Sequence, residues 1–356
     1  MSDLGKLYGQ WIGQIAGTNS GYACLNVDSD RPEIGYFQVA DVLLPHSVQA
    51  VFTINESEVS GTLSNFLPLG PAISSDVQLP TQGSFSGSLS EEQFNGKWET
   101  DGGTNGTFKL DHINSPSSQP CDELMSWGKF REWILNEFRE KPSLIFRGHH
   151  KSVYPLLTSF HRTGRRNIYR YASEDVPELC RSIEAILGTR YDIDNPVDHG
   201  ALLNLGQHHG FPTPLLDWTE SPFVAAFFAF SPLPKVVSSE ADTVRIFIFD
   251  CVGWPDQQIE TILHIRPCFA HLRLRARDNV RVIPQQSVHM YSNHVAIEEY
   301  VKWVETKQKR QFLRRIDIPA SDRLIAMRDL VAMGVTASSL FPGLDGLCRS
   351  LTEKWF

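Results

Sequence analysis

Over residues 1–113 apolar and polar positions alternate in short runs: YGQWIGQIAG, GYACLNVD, EIGYFQVADV, VQAVFTINE, VSGTLSNF, GSFSGSLS, FNGKWET and GTFKLDHI. Each run is broken by Gly, Asn, Asp or Ser. Successive residues of a strand face opposite ways, so this alternation predicts short antiparallel strands. DGGTNG (101–106) has the composition of a hairpin turn. Many such strands at close spacing predict a small antiparallel barrel or sandwich. Trp11, Ile12, Ile15, Phe94 and Trp98 sit among glycines. No catalytic constellation falls here, and the stretch reads as a binding or docking module.

The period changes after NSPSSQP (114–120), whose small polar residues and two prolines predict a linker. Leu124, Trp127, Phe130, Ile134 and Phe138 then fall at helical spacing, with Asp122 and Glu123 at the favourable N-terminal end. Pro142 stops that helix, and residues 143–146 predict a strand that ends in Arg147-Gly148-His149-His150. PELCRSIEAILG and NPVDHGALLNLGQHHG predict helices, the second capped by Asn195 with Pro196 at its first position. TVRIFIF and FLRRIDIP predict strands, and Pro255–Leu263, 294–305 and Asp322–Met333 predict helices. VRVIPQQSVHMY (280–291) reads as a strand broken at Pro284. The expected fold is α+β, in three parts: an all-β module over 1–113, a linker over 114–120 and a mixed domain over 121–356.

One stretch concentrates chemistry: GQHHGFPTPLLDWTESPFVAAFFAF (206–230). Each proline of Phe211-Pro212-Thr213-Pro214 pushes the residue before it out of the α region. Leu215-Leu216 predicts a short buried strand, Thr219 an N-cap, and Pro222 the first turn of a helix. Phe223–Phe230 is apolar on every side, which predicts a buried helix. Such a strand, turn and helix would aim Asp217, Trp218, Thr219 and Ser221 at one point.

Charge and composition narrow the classes. Residues 1–118 hold 4 Lys+Arg and 13 Asp+Glu, whereas the rest holds 29 and 28. An acidic module of that kind repels nucleic acid. The basic run His264, Arg266, His271, Arg273, Arg275, Arg277 and Arg281, against the single acid Asp278, is the one stretch that would suit a nucleic-acid partner. Six scattered cysteines with no CxxC and no metal-ligand spacing predict reduced thiols and no metal site. The chain has no apolar run long enough for a membrane span, and its first residues lack a signal-peptide pattern, so a cytoplasmic location is expected.

Phe146-Arg147-Gly148, YPLLTSFHR, QHHGFPT, LLDWTESPFVAAFFA, PQQS and GVTASSLFPGLDG, in that order, resemble the FRG domain of bacterial proteins over about 124–352. Two positions depart from that pattern: Pro214, where the family usually has Arg, and Ser287, where Gly is usual. A more distant resemblance is to ADP-ribosyltransferases, which hold NAD in a cleft between two small sheets. It implies a split-sheet core in which Arg147 orients the ribose and phosphates of NAD. Thr219 and Ser221 lead into the apolar helix, and Gln285 takes the place of a late-strand Glu. On that reading Arg147, Gly148, His149, Trp218, Thr219 and Ser221 bind NAD, and Arg147, His209, Asp217, Thr219 and Gln285 are catalytic.

The chemistry asks for such groups. Breaking the nicotinamide–ribose bond develops positive charge at C1′, so the site must hold the ribose and favour a cation. Gln285 can accept a hydrogen bond but brings no charge, which leaves Asp217 as the candidate anion. His208 and His209 titrate in the useful range. Each also has a plain structural reading: Arg147 as a surface cation, Asp217 as turn-maker, the histidines as satisfied hydrogen-bonding groups, Gln285 as an ordinary strand residue. Three functions follow: an NAD-dependent ADP-ribosyltransferase, suited to a toxin or phage-defence effector with a protein or nucleic-acid target; a catalytically inactive nucleotide sensor; and a nucleic-acid-binding module.

Overall fold

The computed structural model describes residues 7–41, 47–54, 59–69, 78–141, 143–235, 242–256, 259, 261–277 and 279–356. Eight strands close into an antiparallel barrel in sequence order: β1 (Gly9–Gly17), β2 (Gly21–Val27), β3 (Ile34–Asp41), β4 (Ser47–Ile54), β5 (Ser60–Leu69), β6 (Gln82–Leu89), β7 (Gln93–Thr100) and β8 (Asn105–Ile113). β1 closes on β8, with Gln10 opposite Ile113 and Gly17 opposite Gly106. Alternation sends Trp11, Ile15, Leu25, Phe52, Phe94 and Phe108 inward. Gly96 is required by the crowding: a Cβ there would lie 2.4 Å from the Phe108 ring. The sheet closes as a barrel, and residues 101–104 form the β7–β8 turn, while Asn105 and Gly106 of the expected turn already belong to β8.

The remainder is a seven-stranded mixed sheet flanked by helices. In chain order it comprises β9 (Glu123–Leu124), α1 (Trp127–Glu140), β10 (Leu144–His149), α2 (Ser159–Arg162), α3 (Ile168–Arg170), α4 (Val176–Leu187), α5 (Pro196–His208), β11 (Leu215–Thr219), α6 (Pro222–Phe230), β12 (Thr243–Asp250), β13 (Phe269–Leu272), β14 (Ser287–Ser292), α7 (Ile297–Gln308), β15 (Leu313–Pro319), α8 (Arg323–Ala332), α9 (Ala337–Leu340) and α10 (Leu344–Trp355). Strand order is β13-β14-β11-β10-β12-β15-β9, antiparallel except where β9 joins β15. α6 packs with α1 and α8 on one face around Trp127, Phe146 and Phe230. α7 covers the other face around Trp218, Phe249 and Phe269.

Several local expectations change. Glu123 and Leu124 belong to β9, not to a helix, because Asp122 accepts from the Arg315 backbone N–H and ties the segment to β15. α1 starts after Ser126, whose hydroxyl caps Lys129 N. Among the described residues of 255–263 there is no helix; Gln257, Gln258 and Glu260 lie outside them, as does Asp278. Residues 280–286 are a turn rather than a strand, with Gln286 at φ 48°, and β14 begins at Ser287. Asn195 and Pro196 start α5 as expected.

A buried charge cluster joins barrel to mixed sheet. Asp28, 3% exposed, accepts from Arg165 Nε (2.9 Å), Arg170 Nη1 (2.9 Å), Arg166 N (2.6 Å) and Asn167 N (3.0 Å). A carboxylate this deep is tolerable only when so partnered. Gln10 adds bonds to Asn293 O and Val295 N. In the 114–120 segment, Ser118 Oγ bonds the buried Glu298, which also takes Arg315 Nε at 2.8 Å. No described helix is long and apolar enough to cross a membrane, and no disulfide joins the cysteines.

Candidate functional site

A cleft of about 370 Å³ opens where two neighbouring strands part. β10 and β11 are paired only at Phe146 opposite Thr219. Had the ladder continued, Asp217 would face Gly148. Instead the Asp217 carbonyl accepts from Arg147 Nη1, so a side chain replaces the missing backbone donor. Arg147 Nε donates to His149 Nε2 at 3.0 Å, and His149 Nδ1 lies 3.1 Å from Tyr154 O. Burial, then the Arg147 charge, pushes His149 down to about 3, which keeps it a neutral acceptor. Burial lowers Arg147 to about 10, so it remains a cation at neutral pH. No carboxylate forms an ion pair with it among the described residues.

Gly148 sets the depth. A Cβ there would fall 1.9 Å from Ala225 O, so α6 can lie directly on β10 only over a glycine. α6 is buried, as its all-apolar sequence predicts, and Phe228 faces the cleft, 6.0 Å from the Phe341 ring.

The N-cap of α6 is Ser221, not Thr219: Ser221 Oγ accepts from Val224 N at 3.3 Å. Thr219 Oγ1 donates to Gln285 O (2.7 Å) and accepts from Ser221 N (3.1 Å), which fastens the 280–286 turn to the strand–helix corner. Asp217 lies within β11 rather than in a turn. Its Oδ1 accepts from Gln207 Nε2 and lies 3.5 Å from Nε2 of His289, its register partner on β14. Gln207 in turn accepts from Thr213 Oγ1, so QHHGFPT is a clamp that holds Asp217 through its glutamine.

The opposite wall is built from Arg281, Val282, Gln285, Ser287 and His289. Gln285 Nε2 donates to Leu340 O at 3.0 Å, which turns Oε1 away from that contact. Arg281 lies 5.2 Å above the Phe341 ring and makes no ion pair among the described residues. Among the described residues, the charged side chains on the cleft walls are Arg147, Arg281 and Asp217.

Of the residues singled out from sequence, Arg147, Gly148, Asp217, Trp218, Thr219 and Gln285 border this cleft. Trp218 borders it but sends its ring into the core, 6.1 Å from Phe249 and 6.4 Å from Phe269. His149 stands behind Arg147. Ser221 is spent on capping α6, and neither it nor His209 is among the lining residues. His209 is exposed at the end of α5, and its neighbour His208 reaches the wall instead. Gln207, Asn204, Asn279, Arg281 and His289 were not assigned to the site. His289 needs the β11–β14 register to be found, and no local signal supplies it. The basic run is dispersed: Arg273 pairs with Glu220 (3.5 Å), Arg277 with Asp198 (3.2 Å), and Arg281 turns to the cleft.

Residues 142–235 match the family model of the FRG domain. The match is narrower than the 124–352 span of the motifs. It covers β10, α6 and the β11 wall with Arg147, Gln207 and Asp217, and stops short of the wall carrying Arg281, Gln285 and His289. No curated protein and no solved structure matches the chain significantly.

Proposed function

We propose that the FRG cleft binds NAD or a closely related nucleotide and that the protein breaks its nicotinamide–ribose bond, passing ADP-ribose to a macromolecule or to water. The observation that carries this reading is Arg147: a half-buried cation, held in place by His149 and the Asp217 carbonyl, with no ion-pair partner among the described residues. A planar, oriented guanidinium with no carboxylate partner is suited to phosphate or ribose oxygens. Arg281, over the Phe341 ring, adds a second cation, and Phe228 offers an apolar ring for a base or for nicotinamide.

In this reaction nicotinamide leaves C1′ with the bonding electrons, and an acceptor oxygen or nitrogen attacks C1′ and gives up its proton. Asp217, fixed by Gln207 and His289, supplies negative charge toward the developing cation. Gln285 Oε1 accepts from a ribose hydroxyl, and His208 on the cleft wall takes the acceptor's proton. A second reading, a sensor that binds without turnover, is favoured by the neutral amide of Gln285 and its commitment to Leu340.

Incubation with NAD labelled on the adenylate separates these. Nicotinamide release with label on protein or nucleic acid marks a transferase, and release without transfer marks a glycohydrolase. Calorimetric binding without release marks the sensor. Absence of binding removes the nucleotide reading.

A further inference from the structure

α10 meets the rest of the chain through its polar side. Ser350 Oγ accepts from Ser338 N at 2.8 Å, and Ser338 Oγ donates to Gly346 O at 3.3 Å. Glu353 accepts from Arg323 Nη2 at 2.7 Å, and Arg349 lies 4.8 Å from the centre of the Phe341 ring. Gly346 is buried and required there, because a Cβ would fall 1.9 Å from Phe341 O. Residues 346, 350 and 353 follow one another at helical spacing, so a single face carries these contacts.

The apolar residues point the other way. At about 100° per residue, Leu344, Leu347, Leu351 and Trp355 form a stripe on the side of the helix opposite Gly346. Leu344 is 77%, Leu347 47% and Trp355 63% exposed, Leu351 is half-buried, and the exposed Cys348 borders them. A surface helix normally turns such a stripe to the core. Left outward, a contiguous apolar patch of this extent marks an interaction site. No charged side chain falls on the stripe, so it suits an apolar partner rather than an ionic one.

We propose that the stripe pairs with the same stripe of a second copy of this chain, the two α10 helices running antiparallel about a twofold axis. The spacing of Leu344, Leu347 and Leu351 is that of a coiled-coil seam, which Trp355 continues and which another short helix fills. Antiparallel alignment sets Trp355 of each copy against Leu344 of the other, and Leu347 against Leu351. A parallel pair would instead oppose Trp355 to Trp355, bring Lys354 beside Lys354 and align the two helix dipoles. At these exposures the stripe offers on the order of 500 Å² per copy, so a pair buries about 1,000 Å², the lower bound for a specific interface. The second copy then lies beside the segment that precedes α10, where Leu340 O holds Gln285 and Phe341 lines the cleft. This inference does not rest on the nucleotide reading.

Sedimentation velocity on the full chain in reducing buffer tests it. The wild type is expected to dimerise with a Kd on the order of micromolar, as a small apolar interface does. Leu347→Glu is expected to weaken the dimer at least about tenfold with an unchanged circular-dichroism spectrum, because it sets a charge in the seam. Leu344 and Trp355 lie about 16 Å apart along one helix, too far to pair with each other. Leu344→Lys and Trp355→Glu are therefore each expected to weaken the dimer. The double variant brings opposite charges together twice across the twofold axis, and it is expected to dimerise again in low salt and less in high salt. A wild type that stays monomeric at about 100 µM overturns the proposal. So does a dimer unmoved by Leu347→Glu, or a double variant that pairs no better than the single ones.

Discussion

Arg147 Nε lies 3.0 Å from His149 Nε2, two residues along the same face of β10. The histidine has no proton to spare on that nitrogen, since burial and the neighbouring guanidinium hold it neutral and Nδ1 faces Tyr154 O. It therefore fixes the rotation of the guanidinium while the Asp217 carbonyl fixes its reach.

Arg147→Lys keeps a charge but cannot make both bonds at once. Nucleotide affinity measured by calorimetry should fall about ten- to hundredfold. The melting temperature should change little. A larger loss of stability than of affinity would make Arg147 a structural brace between two diverging strands and no more.

Gln285 tests the chemistry. If the cleft cleaves NAD as proposed, Gln285→Ala removes one bond to the ribose and should slow single-turnover cleavage about ten- to hundredfold. Gln285→Glu brings charge to the cleft but sets a carboxylate against the Leu340 carbonyl, to which the amide now donates at 3.0 Å. A loss of about 1–3 kcal/mol in denaturant unfolding is expected for the Glu variant, whatever its rate. Unchanged stability would mean that the 340 loop moves freely.

Asp28→Ala should be among the most damaging single changes to the docking of the barrel. It removes the carboxylate that Arg165 and Arg170 share, leaving them Asp175, Asp30 and Glu174, and it unpairs the Arg166 and Asn167 N–H groups, at about 1–3 kcal/mol for each buried donor left without an acceptor. Calorimetry should show one unfolding transition in the wild type and two in the variant. Limited proteolysis of the variant should then cut near 114–120 and leave two stable pieces. A single transition in both proteins would mean that Gln10 and the Ser118–Glu298 contacts suffice.

Acid should destabilise the chain through buried histidines. His294, 7% exposed with Nδ1 2.9 Å from Ala296 O, is lowered to about 4 by burial. Burial also lowers His161 and His289. Below about pH 6.5 the unfolded chain takes up protons that the folded chain refuses. The contribution of His294 is therefore complete above that pH and is lost as pH falls toward about 4, at about 1.4 kcal/mol per unit. Melting curves from pH 8 to 4.5 should fall more steeply for the wild type than for His294→Gln, and parallel slopes would remove His294 as a contributor.

The barrel was legible because its alternation is local: Phe94, Gly96 and Trp98 face inward in the order in which they are written. The buried character of α6 was legible for the same reason, since nine apolar residues leave no polar face. Arg147 and Asp217 could be named from their neighbours in sequence. His289 and Arg281 could not, because they reach the site by strand pairing and by a turn that joins distant segments. Thr219 and Ser221 were recognised as helix-start residues, but which one caps depends on where β11 ends, and pairing with β14 extends that strand through Thr219. The 280–286 turn looks like a strand in the sequence because its apolar residues, Val280, Val282 and Ile283, mimic a β pattern, while Gln286 adopts a left-handed backbone that the pattern does not show.

The single-pair ladder between β10 and β11 has a consequence for hydrogen exchange. Past Phe146, the edge of β10 that would have faced β11 has no strand to bond, so peptide groups there are turned toward whatever occupies the opening. Amide protons on that edge, around Gly148, should trade with deuterium quickly in the bare protein, while those directed at β12 trade slowly. A bound molecule that takes up those groups would erase the difference. Protection of one edge of one strand would then report occupancy with no need to know what the occupant is.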